Sequence, residues 1–122
     1  MRTVPPFPII GEPGEWDELT LLAAMVFLES EGEPDDGILG VAWVVMNRVR
    51  AWGLTVHTTI LGKDAKAYDD GRPYEQWSCF NDDYRPRAAA RLAAADGAAW
   101  AWRAAAAALW GLEPDPTGGA TF

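Results

Sequence analysis

Between Trp16 and Ser30 the apolar positions Leu19, Leu22, Ala23, Val26 and Phe27 recur three and four residues apart, the spacing that gathers side chains on one side of a helix. Asp17 and Glu18 suit the positive end of that helix, and Gly32 and Pro34 predict its stop. A second stripe follows in Ile38, Val41, Ala42, Val45, Val49 and Trp52, with Asp35 and Asp36 as candidate N-caps and Gly53 as the terminator. From Leu54 to Asp83 the period is lost. Gly62, Asp69-Asp70-Gly71, Pro73 and Asn81-Asp82-Asp83 predict turns joined by short helical or extended pieces, and long loops within small domains often carry function. Pro86 opens an alanine-rich helix through Ala95, Asp96-Gly97 breaks it, and another helix is predicted from about Ala98 to Trp110, closed by Gly111 and Pro114.

Strand-like alternation is hard to find, so the expected fold is mainly α and small. Residues 1–14 hold four of the nine prolines together with Gly11 and Gly14. This predicts an extended or turn-like segment over the surface of a single domain spanning residues 15–122. The alanine-rich tract predicts closely approaching helices, since alanine is both the best helix former and small.

The distribution of charge excludes more than it assigns. A formal charge of −8 from 10 Lys+Arg against 18 Asp+Glu argues against nucleic acid as a partner, because phosphate binding needs a basic footprint. Cys79 is the single cysteine and His57 the single histidine, too few for a Cys/His metal cluster or an internal disulfide, so no metal and no cofactor are expected. His57 has no carboxylate at a meaningful spacing, and a Ser-His-Asp triad lacks its parts. Neither a signal-like apolar core nor a membrane-spanning run is evident, so no stable membrane insertion is expected.

Glu29 stands out among the acids. Leu22, Met25, Val26 and Glu29 fall at i, i+3, i+4 and i+7, which places a carboxyl in the apolar stripe and in the last helical turn. Burial and the helix carbonyl end both push a carboxyl pKa upward there, as a general acid requires. The plainer alternative is a glutamate that reaches solvent or pairs with a cation such as Arg48. Asn47 and Arg48, near the end of the second helix, read as structural support, and Trp43 and Trp102 as core.

Four segments then carry a resemblance. Leu28-Glu29-Ser30-Glu31-Gly32-Glu33-Pro34, Val41-Ala42-Trp43-Val44-Val45-Met46-Asn47-Arg48-Val49, Gln76-Trp77-Ser78-Cys79 and Asp115-Pro116-Thr117-Gly118-Gly119-Ala120-Thr121 occur in order. Together they resemble the SleB/CwlJ cell wall hydrolases, a family that includes spore-cortex-lytic enzymes and phage endolysins. The resemblance covers most of residues 19–122 and implies a lysozyme-like, lytic transglycosylase-like helical domain, with peptidoglycan glycan strands as substrate. It also implies that Glu29, the first Glu of a Glu-x-x-Gly-Glu-Pro motif, is the catalytic acid. Glu31 stands where Arg is common in the family, and Trp77 where Phe is usual.

Glycoside cleavage needs an acid on the bridging oxygen and a second group to supply or activate the nucleophile. Glu33, Asp82 and Asp83 read as solvated or capping groups, leaving one convincing carboxyl. A lytic transglycosylase suits that inventory: the muramic C6 hydroxyl attacks internally, and one glutamate serves as acid and then base. Ser78, Asn81 and Thr117 are candidates to orient sugar acetamido or hydroxyl groups, and Trp77 to stack on a sugar ring. The alternatives are a water-using muramidase, an N-acetylmuramoyl-L-alanine amidase, and a non-enzymatic acidic protein-binding module. The expected setting is that of a phage endolysin held in the host cytoplasm until release to the wall, with further residues expected after Phe122 by comparison with relatives.

Overall fold

The computed structural model describes residue 7 and residues 13–30, 33–61, 90–94 and 98–121. A short 3-10 turn, Pro13–Glu15, leads into α1 (Glu18–Ser30), α2 (Asp35–Trp52), α3 (Val56–Leu61) and α4 (Ala99–Leu109), with a further helical stretch at residues 90–93. The fold is mainly helical, and no strand occurs among the described residues.

Helix α1 is the centre of the domain, packed against α2, α3 and α4, while α2 also packs on α3 and α4. Every residue from Leu21 to Leu28 is buried. An apolar helix with no polar side has to be surrounded, and α1 is. It starts where Asp17 Oδ1 accepts the Thr20 N–H at 2.7 Å, an N-cap that satisfies one of the four unmet donors of a helix start.

Helix α2 corrects one expectation. Asp35 is its first residue, and Pro34, extended at φ −68° and ψ 164°, holds the cap position without a side-chain bond. Neither aspartate is therefore the N-cap. Its end is as predicted: Gly53 turns left-handed at φ 65°, and Leu54 N–H reaches back to Val49 O at 3.1 Å. Helix α4 repeats the device, with Gly111 at φ 66° and Leu112 N–H bonded to Ala107 O at 2.8 Å. This six-to-one bond satisfies an orphan carbonyl, and the left-handed residue it requires is most easily glycine.

The alanines of α4 explain its close approach. Ala101, Ala104, Ala105, Ala107 and Ala108 are all buried, and side chains of one carbon let α4 lie against both α1 and α2. Larger residues fill the remaining space: Trp43 is buried, and partly buried Trp102 stacks on Phe7 with ring centroids 5.2 Å apart. Phe7 also meets Phe27 at 5.5 Å. The N-terminal segment, expected to lie over the surface, thus places one aromatic ring in the core.

Candidate functional site

Glu29 is the one exposed residue in the run from Leu21 to Ser30. The expectation that it joins the buried stripe is corrected here. Spacing alone could not define a face on α1, because nearly every neighbouring position is apolar and buried; the carboxyl leaves the core where the helix itself runs out. Glu29 is instead a solvent-reachable acid mounted on the most enclosed of the described helices. After the helix ends, Glu33 N–H donates to Ser30 O at 2.9 Å, a turn that brings the exposed Glu33 back beside the end of α1.

One cation lies at the same place. Arg91 Nη1 donates to Leu28 O at 3.3 Å, and its guanidinium carbon sits 5.8 Å from the centroid of the Phe27 ring. Arg91 occupies an alanine-rich stretch more than sixty residues downstream, and no local pattern in the sequence foretells that it returns to α1. Arg48, the cation considered as a partner for Glu29, is engaged elsewhere: its Nε donates to Thr121 O, and its guanidinium lies 5.4 Å from the Trp52 ring.

The closing segment is organised by polar contacts. Asp115 Oδ1 accepts from Thr117 N–H at 2.7 Å and from the Thr117 hydroxyl at 2.6 Å, while Oδ2 accepts from Gly119 N–H at 2.9 Å. Asn47 Nδ2, from α2, donates to Asp115 Oδ2 at 2.9 Å, to Thr117 Oγ1 at 3.3 Å and to Ala120 O at 2.9 Å. Burial pushes the Asp115 carboxyl up, but the bonds from Thr117, Asn47 and Gly119 together outweigh it and hold the group down at about 2. Gly118 and Gly119 take φ of 68° and 95° at the outer edge of the loop, with open space where a Cβ would stand.

Asn47 and Arg48 are therefore structural supports, but of a tail seventy residues away and not of neighbouring backbone. Thr117 is placed inside this network, where its hydroxyl donates to Asp115 and accepts from Asn47 and from Ala120 N–H. The role of Asp115 as common acceptor was missed in the sequence, although an Asp bonded to backbone two residues on is ordinary turn chemistry. Trp77, Ser78 and Asn81 lie outside the described residues.

His57 Nε2 lies 2.6 Å from Trp16 O, which ties α3 to the chain entering α1. Beside it the Asp17 carboxyl is held below its usual value, first by bonds from Thr20 and to a smaller degree by the His57 charge. The carboxylate that sequence spacing could not pair with His57 is forty residues before it. Among the described residues no cluster of three or more His, Cys, Asp and Glu could hold a metal, and no helix is long and apolar enough to cross a membrane.

Comparison with known protein families gives a match. The family described as Cell Wall Hydrolase matches residues 32–122, most of the chain, including Asn47, Arg48 and the Asp115 loop; the match begins three residues after Glu29. No curated protein and no solved structure matches. The chain belongs to the Cell Wall Hydrolase family and is, as such, a peptidoglycan hydrolase.

Proposed function

We propose that this enzyme cuts the MurNAc-β-1,4-GlcNAc bond as a lytic transglycosylase, with Glu29 as its single acid and base. The observation that carries this reading is the placement of Glu29, exposed at the end of a helix whose preceding eight residues are all buried. A catalytic group must meet substrate from solvent and yet be held by rigid surroundings. Glu29 has both properties.

In the proposed reaction the Glu29 carboxyl protonates the GlcNAc O4 as the bond to the muramic C1 breaks. The muramic C6 hydroxyl attacks C1, and its proton returns to the Glu29 carboxylate. The products are a 1,6-anhydromuramic end and a GlcNAc end with a free 4-hydroxyl; no water is consumed and the acid is regenerated. Holding the C6 hydroxyl near C1 makes the displacement intramolecular, which removes the need for a second protein group to activate a nucleophile.

The turn that returns Glu33 to the end of α1 favours one second reading, in which Glu33 activates water and the enzyme is a muramidase. Mass spectrometry of fragments released from purified sacculi separates the two. Anhydromuramic ends are expected; reducing muramic ends would transfer the mechanism to Glu33. Glu29→Gln, with an unchanged circular dichroism spectrum, is expected to lose at least about a hundredfold in turnover, the usual worth of a positioned acid. Full activity in that variant would remove Glu29 from the chemistry.

A further inference from the structure

Gly37 sits in the first turn of α2 with ordinary helical backbone, so its conformation does not call for glycine, which is among the weakest helix formers. Space accounts for it. A Cβ at position 37 would stand 3.3 Å from Glu33 Oε2, 3.5 Å from Glu33 Cβ and 3.7 Å from Pro34 Cδ. The Glu33 side chain thus folds back over α2 instead of extending into water, although Glu33 is exposed and its carboxyl has no hydrogen bond or ion pair among the described residues. Gly40, one turn on, makes the contrasting case: a Cβ there would meet Thr117 Cγ2 at 3.3 Å, a packing contact under the tail.

The same glutamate is tied to the end of α1. Glu33 N–H donates to Ser30 O at 2.9 Å, which by standard backbone dimensions puts Glu33 N within about 9 Å of the Glu29 Cα. Two glutamates whose backbones are that close can meet a single sugar ring. Their helix environments differ: Glu29 stands at the carbonyl end of α1, and Glu33 before the amide end of α2, where negative charge is favoured. Departure of the GlcNAc O4 leaves positive charge on the muramic C1 and ring oxygen, and an anion fixed in advance stabilises such a transition state without reorganising. We propose that the Glu33 carboxylate faces that charge and stabilises it without bonding to C1, and that Gly37 is the positioning residue that leaves the carboxylate its seat. This rests on the reading of Glu29 as the acid of a transglycosylase.

Initial rates on purified sacculi are measured for the full chain, Glu33→Gln, Gly37→Ala and the double variant. Glu33→Gln is expected to lower turnover about tenfold to a hundredfold with half-saturating substrate within about twofold of native, since the charge it answers exists only in the transition state. Gly37→Ala keeps both glutamates, and the contact at 3.3 Å obliges the carboxylate to move by a few tenths of an ångström or swing away. It is expected to lower turnover about threefold to tenfold while its denaturation midpoint stays at or above native, because alanine suits a helix better than glycine. In the Glu33→Gln background the same substitution should change turnover by less than about twofold, the coupling expected when one residue acts only through the other.

Gly37→Ala at native turnover overturns the positioning role, and so does an equal loss with and without Glu33. Glu33→Gln at native turnover overturns the proposal, and a lowered denaturation midpoint in that variant would make Glu33 a structural cap of α2. Reducing muramic ends among the products would overturn it as well, because Glu33 would then activate water. Activity retained in Glu29→Gln would defeat the acid assignment, whereas loss of activity there with Glu33 and Gly37 uncoupled would defeat this inference alone.

Discussion

Asn47 and Asp115 are 68 positions apart and are joined by an Nδ2 to Oδ2 bond of 2.9 Å. The bond fastens a surface tail, in which residues 110–114 are all exposed, to the C-terminal half of α2. Because that tail buries little apolar area, its order depends on polar contacts that meet at two side chains.

Removing the donor should loosen the whole segment. Asn47→Ala leaves Asp115 Oδ2, Thr117 Oγ1 and Ala120 O without their α2 partner. Water can reach this half-buried site, so the loss is expected at about 1–2 kcal/mol, as for one to two net hydrogen bonds. Chemical denaturation should show a lowered midpoint with little change in slope, and exchange of the Gly119 and Ala120 amides should quicken more than that of α1. Unchanged protection at these amides would mean that the tail is held some other way.

Asp115 also gives the tail a defined response to acid. Its folded value of about 2 lies below its ordinary value of 3.8, so its contribution is complete above about pH 4, declines as pH falls toward 2, and is gone below that. Asp115→Asn should be less stable than the native chain at pH 6 and should narrow that gap by pH 2. A gap independent of pH would show that the carboxylate charge does not matter to the network.

The helices and this tail differ in how much of each could be read from residue order. Apolar spacing and the two stop glycines, Gly53 and Gly111, placed α2 and α4 to within a residue or so, because helix periodicity and left-handed termination are local properties. The Asn47 contacts and the return of Arg91 to Leu28 are tertiary, and no periodicity encodes them. Glu29 shows the intermediate case. Its place in the last turn of α1 was legible, but its exposure was not, since a helix apolar on every side offers no face against which to assign one residue. The Gln76-Trp77-Ser78-Cys79 motif was legible as a pattern and lies outside the described residues.

Glycine at position 53 is required by conformation and not by space. Its φ is 65°, yet a Cβ there would meet nothing within 4 Å. Gly53→Ala should therefore cost about 1 kcal/mol, the price of a left-handed alanine, without disturbing the core. Gly53→Asn should recover part of it, because asparagine tolerates this region better. Thermal melting of the three proteins gives the order directly, and an alanine variant as stable as native would contradict it.

Ser30 follows Glu29 with a fully buried hydroxyl that has no hydrogen-bond partner among the described residues. A buried hydroxyl without a partner costs about 1–3 kcal/mol relative to one that is bonded, and replacement by an apolar group of similar shape removes that cost. Alanine is also the better helix former, by a few tenths of a kcal/mol. Set against these gains is the small void left by one oxygen atom. Ser30→Ala is therefore expected to raise stability by about 1 kcal/mol, measured as a higher denaturation midpoint at unchanged slope. Because position 30 lies next to the proposed acid, activity on sacculi should be measured on the same sample. Stability gained with activity retained would mark Ser30 as an unsupported core position, whereas a destabilised variant would show that the hydroxyl is bonded in solution.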